Sequence, residues 1–150
     1  MALGVQDFRG FAMSVPMVLL PLFVQVGLIF ALLFAMAITR GRALTGGEVK
    51  PAEIALRQQN WPVRATQIGN CFANQFELPV LFFVLIALAL PLRHADLVIV
   101  MLSWLFVLTR FAHAGVFVSS NELRARSLIW FAGALVLLVM WVYFAIRILL

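Results

Sequence analysis

QIGNCFANQFELPVLFF, Gln67–Phe83, sets a row of amides and one carboxylate inside an otherwise apolar stretch. At the turn angle of an α-helix, Gln67, Asn70, Asn74 and Glu77 share a wedge of roughly 80° on one face. Hydrocarbon cannot satisfy amide or carboxylate hydrogen bonds, so such a stripe in a membrane helix has to face other helices or a water-filled cavity. Whether the chain is a membrane protein therefore decides what the stripe means.

Composition answers that first. Of the 150 residues 65% are hydrophobic and 11% charged, and mean hydropathy is +1.08, against about 25% charged in an ordinary soluble domain. A hydrocarbon core about 30 Å thick takes about 20 apolar residues per helix. The chain accommodates four such spans in a single domain, 1–150, and reads as an all-α integral membrane protein. The spans fall at about 17–38, 63–90, 97–118 and 127–149. Pro16 and Pro21 suit the first turn of span one, and Gln25, its one strongly polar interior residue, suits an interhelical hydrogen bond. Thr39–Asn60 reads as a long first loop broken by Gly46, Gly47 and Pro51, with a helix opening at Pro51. Arg57 and Arg64 read as interfacial anchors, and Pro79 predicts a kink in span two. Span four is almost wholly apolar, with Gly133 as a close-packing point.

The eleven basic residues are unevenly placed. Arg40, Arg42, Lys50, Arg57 and Arg64 flank loop one and Arg110, Arg124 and Arg126 flank loop three, whereas Arg9, Arg93 and Arg147 lie at the other side. The positive-inside rule then puts both termini outside and loops one and three in the cytoplasm. The start of span two and the end of span three share that face. On span three, Arg110, His113 and Phe117 fall on one side, and Arg124 joins them if the helix continues that far.

Two neighbouring stripes thus offer amides, a carboxylate, an imidazole and guanidiniums near one interface. One reading is an internal salt bridge, Glu77 with Arg110 or Arg124, plus amide contacts between helices. The other is a pocket for a small anionic polar ligand beside an apolar one, since guanidinium pairs bidentately with carboxylates. An intramembrane carboxylate also allows a proton-coupled exporter with Glu77 as relay, although the first span carries no acid. No basic cluster interleaved with aromatics suggests nucleic acid as a partner. The single Cys71 forms no intrachain disulfide and reads as a small buried residue. His94 and His113 are too few for a metal site. The N-terminus lacks a cleavable leader pattern and a glycine after Met, and reads as retained and unmyristoylated.

NQFELPVLF on span two and Arg110-x2-His113-x3-Phe117-x6-Arg124 at the end of span three resemble the MAPEG family, the membrane-associated proteins in eicosanoid and glutathione metabolism. The likeness covers essentially the whole chain and is nearest a bacterial branch of undefined function. It implies a left-handed four-helix bundle assembled as a homotrimer, set in the inner membrane if the source is bacterial. Glutathione, as co-substrate, would lie between subunits at the cytoplasmic face, with membrane lipid and a lipophilic small molecule as further partners. The activity implied is a glutathione-dependent transferase or peroxidase acting on lipophilic electrophiles. The alternative is a non-catalytic lipid-binding or scaffold protein on the same fold. The family pattern matches Asn74, Glu77, Arg110, His113, Phe117 and Arg124; on that resemblance Asn74 and Glu77 would hold the peptide and amine of glutathione, Arg110 and Arg64 its carboxylates with His113 in support, and Arg124 the thiolate as the catalytic residue. Two departures stand out. Asn70 occupies a position where many active members carry arginine, and Phe117 lacks the hydroxyl usual at its place.

Overall fold

The computed structural model describes residues 13–55 and 60–150 of the chain. The N-terminal reading, Arg9 and Arg57 lie outside the described residues. Those residues form no strand. The helices are α1 (Val15–Thr45), the short α2 (Pro51–Ile54), α3 (Val63–Ala73), α4 (Leu78–Ala89), α5 (Leu97–Val118) and α6 (Leu123–Leu149). Four stretches are long and apolar enough to cross a membrane: Val15–Thr45, Val63–Ala89, Leu97–Val118 and Leu123–Leu149. They run antiparallel in sequence, so loops one and three lie at one end and the α4–α5 turn at the other.

The core follows from which faces are apolar on both sides. Phe82, Leu85, Ile86, Ile99, Phe106 and Met140 are fully buried between α4, α5 and α6, with the Phe82 and Phe106 rings 5.0 Å apart. Large apolar side chains such as Phe23, Phe34, Leu128 and Leu135 point outward. Lipid tails are as apolar as leucine, so exposing these residues to a bilayer costs nothing. Close approach of α5 and α6 depends on Gly133, where an added Cβ would sit 2.7 Å from Thr109 Oγ1. This is the packing point expected from sequence.

At the far end Asp96 caps α5, its Oδ1 accepting from the Ile99 N–H at 3.1 Å. Its other carboxylate oxygen accepts from the Tyr143 hydroxyl, so one side chain closes a helix end and ties it to α6.

Four boundaries differ from the sequence reading. Helix α1 runs on to Thr45, because nothing before Gly46 interrupts it and Thr39 and Thr45 fold their hydroxyls onto carbonyls of the preceding turn. The chain turns at Gly47, whose φ of 71° only glycine adopts freely. Pro21 lies inside α1 rather than in its first turn. The disturbance expected from Pro79 is a full break in the turn ahead of it, a 3-10 turn over Asn74–Phe76 and an irregular Glu77 (φ −95°, ψ −100°), with Pro79 in the first turn of α4. Pro79 has no N–H to donate to the Gln75 carbonyl and its ring crowds that carbonyl, so the helix is interrupted ahead of the proline. Finally, α5 stops at Val118 as the sequence reading had it, but α6 begins at Leu123 rather than near 127, so Arg124 belongs to α6 and does not extend the α5 face.

The break is held from α1. Gln25 Nε2 donates to Gln75 Oε1 at 3.1 Å, and Gln75 Nε2 donates to the Cys71 carbonyl at 3.2 Å. Both glutamines are fully buried. Gln25 is thus the interhelical hydrogen bond its isolation suggested. Replacing Gln25 by Leu is expected to cost about 1 kcal/mol, in the range of buried interhelical polar contacts. Because the two side chains share one bond, the Gln25→Leu/Gln75→Leu pair should cost less than the two single changes summed. Reversible unfolding in detergent measures both.

Candidate functional site

The polar stripe divides into two parts with different partners. Its first part closes the end of α5. Helix C-termini leave carbonyls unsatisfied, and Gln67 Nε2 donates to the Phe117 carbonyl at 2.6 Å while Arg64 donates to the Val118 carbonyl. Arg64 also reaches Gln67 Oε1 at 3.4 Å. These two residues therefore dock α3 onto α5.

The second part meets Arg110. Asn74 lies at the helix break, and its Oδ1 accepts from Arg110 Nη2 at 2.6 Å while its Nδ2 donates to Glu77 Oε2 at 2.7 Å. The expected ion pair of Glu77 with Arg110 or Arg124 is replaced by a relay, guanidinium to amide to carboxylate. The break explains it: turning the chain at Glu77 carries the carboxylate outward to an exposed position and leaves Asn74 between the two charges. Arg110 itself is fully buried, and its Nε and Nη1 have no hydrogen-bond partner among the described residues. A buried guanidinium with unmade hydrogen bonds costs several kcal/mol or so relative to a satisfied one.

His113, one turn on, is also buried. Its Nδ1 lies 3.1 Å from the Arg126 carbonyl, and its Nε2 has no partner among the described residues. Its ring meets the Phe117 ring edge-on at 5.7 Å.

Three hollows surround this cluster. One of about 230 Å³ is lined by Asn74, Glu77, His113, Phe117, Arg126 and Trp130, among others. A second, about 390 Å³, lies toward loop one between Trp61, Gln67, Asn70, Phe117, Asn121 and Arg126. Arg126 and Phe117 belong to both, and the Arg126 guanidinium carbon stands 4.1 Å over the Phe117 ring. The third is an apolar groove of about 490 Å³ between α4 and α6, lined by Leu78, Leu81, Ala134, Leu137, Leu138 and Trp141. It begins at Leu78, the residue after Glu77, and one helical turn beyond Trp130 on α6. A polar chamber and an apolar groove therefore lie next to each other along α4 and α6. Exposed Glu77, Phe131 and Leu138 place the openings on the flank of the bundle.

Of the residues expected from sequence, Asn74, Glu77, Arg110 and His113 come together. Arg64 sits beside Val118, at the end of α5. Arg124 lies exposed in the first turn of α6 and lines neither chamber.

The chain matches the model of the MAPEG family over residues 18–146. It belongs to the MAPEG family. No curated protein and no solved structure matches it. As a MAPEG protein with four apolar helices it is a multi-pass integral membrane protein, of the glutathione and eicosanoid metabolism type.

Sequence reasoning missed Arg126, Asn121, Gln75 and the pairing of Arg40 with Trp61, whose ring lies 4.9 Å from the guanidinium. The turn was readable: Ser119, Ser120 and Asn121 before Leu123 form a helix stop and restart signal, which moves Arg124 and Arg126 onto α6. Gln75 falls off the stripe's wedge and points to α1 instead, a direction only the packing reveals.

Proposed function

We propose that this MAPEG protein binds glutathione in the polar chamber and conjugates it to, or uses it to reduce, lipophilic molecules held in the adjoining apolar groove. The observation that carries the reading is Arg110. A fully buried guanidinium whose Nε and Nη1 have no partner among the described residues, set behind Asn74 in the chamber wall, is a costly arrangement for a fold to keep unless an anion completes it. A carboxylate of glutathione supplies the matching acceptors. In this reading Asn74 and Glu77 take the peptide group and the amine, and His113 Nε2 adds one further polar contact. Arg64, already engaged with α5, serves a second carboxylate from the exposed side.

The thiolate is the reactive form of the thiol, and a neighbouring guanidinium favours it. Arg126, in the wall of both chambers, takes that role in this reading, with Arg124 at the exposed rim as the second cation. The thiol proton leaves to water at the mouth. Sulfur then forms its bond to the electrophilic carbon as a leaving group departs or a strained ring opens and takes up a proton.

The flank position of the openings supports a homotrimer in which a neighbouring copy closes them. The count of basic residues supports a cytoplasmic site.

Calorimetric titration of detergent-solubilised protein with glutathione tests the reading, followed by conjugation of a lipophilic electrophile. Wild type is expected to bind and turn over, and Arg126→Ala to lower kcat about a hundredfold or more. A second reading is favoured by Phe117, whose ring carries a stacked guanidinium where the family has a hydroxyl: lipid binding without catalysis. Co-purified lipid in the groove with no heat of glutathione binding would establish that reading and sink the first.

A further inference from the structure

Arg126 is held from three sides. Its Nη1 donates to the Asn121 side-chain carbonyl, its guanidinium lies over the Phe117 ring, and its backbone carbonyl meets His113. The last two contacts come from α5, fixed by its packing against α3 and α6. Asn121 is different. It sits in the turn between α5 and α6 at φ 51°, in the left-handed region that asparagine tolerates better than most residues. Its backbone N–H is anchored to the Val116 carbonyl at 2.8 Å. That conformation aims the amide back across the turn toward Arg126.

The two chambers on either side of the Arg126–Phe117 pair measure about 230 and 390 Å³. Asn121 lines the larger one, so the same side chain is a wall of the chamber and the restraint on its charged partition. Without the amide, the flexible arginine stem keeps only a ring face to lie on, and cation–π contacts at exposed sites are weak.

We propose that Asn121 is a positioning residue: it holds the Arg126 guanidinium over Phe117, in the partition between the two chambers, where an anionic sulfur is received. This rests on the glutathione reading for its consequence but not for its geometry. The hold does the work of orientation that a phenol at position 117 cannot do here, because Phe117 offers a surface and no hydrogen bond.

The test uses the full chain in detergent. Asn121→Gly keeps the left-handed backbone and removes the acceptor. Asn121→Asp keeps an acceptor at the same place and serves as the conservative rescue. Phenylglyoxal, which condenses with accessible guanidinium groups, reports on Arg126 through mass-spectrometric mapping of the labelled peptide. Labelling of Arg126 in Asn121→Gly is expected to be several-fold faster than in wild type and to return to the wild-type rate in Asn121→Asp, with the thermal midpoint unchanged. Glutathione affinity of Asn121→Gly should fall about tenfold, as for loss of a charge-assisted hydrogen bond. Unchanged Arg126 labelling in Asn121→Gly overturns the proposal, as does a rise in glutathione affinity. If wild type binds no glutathione, the functional reading fails while the labelling comparison still decides the role of Asn121.

Discussion

Replacing Arg110 by methionine is expected to leave the bundle as stable as wild type, or up to about 2 kcal/mol more stable, and to lower glutathione binding by about a hundredfold or more. The two halves of this expectation have separate causes. In the unliganded chain Arg110 is fully buried and gives one short hydrogen bond to Asn74, while Nε and Nη1 give none among the described residues. Methionine fills similar length with no charge to desolvate, and apolar replacement of buried charged groups is often neutral or favourable. Asn74 keeps its contact to Glu77 and borders a chamber large enough for water. In the glutathione reading the ligand, in contrast, loses the buried cation that stands behind Asn74 in the chamber wall. Reversible unfolding and calorimetry on the same preparation separate the outcomes. A bundle weakened by about 3 kcal/mol or more would show that the Arg110–Asn74 contact is architectural. Undiminished glutathione binding would remove Arg110 from the site.

Gly133→Ala should destabilise the fold by about 1–3 kcal/mol, the usual range for overpacking a close contact. The new methyl meets Thr109 Oγ1 at 2.7 Å, and that hydroxyl is itself turned back onto the Phe106 carbonyl at 2.6 Å, so it has little freedom to move away. The consequence reaches the site. Thr109 precedes Arg110, and Gly133 lies on the helix that carries Arg126 and Trp130. Forcing α5 and α6 apart shifts one wall of the polar chamber against the other. The companion change Thr109→Ala removes the clashing atom and leaves an ordinary contact, since the Thr109 Cβ is 3.5 Å from the added methyl. The double variant should therefore recover most of the lost stability and glutathione binding. A double variant no better than Gly133→Ala alone would place the cost of the methyl elsewhere than at Thr109.

Phe117 illustrates how far the sequence carried the site. A missing hydroxyl reads as a loss, because a residue type reports which bonds it can make. The ring's position under Arg126 is a relation between two helices joined by a tight turn, and it depends on where α5 stops. The family pattern pointed to Arg124, which the structure sets in the exposed first turn of α6, two residues before the Arg126 that lines both chambers. On a helix, two residues is more than half a turn and brings a different side chain to the cavity.

By itself the sequence determined that the chain crosses a membrane four times and that the stripe from Gln67 to Glu77 and the face of Arg110, His113 and Phe117 lie toward the same end of the bundle. Those conclusions rest on hydropathy and helical period, which are local and survive whatever the packing does. Only the tertiary structure decided how the stripe is used: Gln67 and Arg64 on the carbonyls of α5, Asn74 as the bridge between Arg110 and Glu77, and Gln75 against Gln25 to hold the break. The reason is physical. An unsatisfied polar group in hydrocarbon takes the nearest partner the packed helices offer, and which partner is nearest depends on crossing distances that no single helix contains.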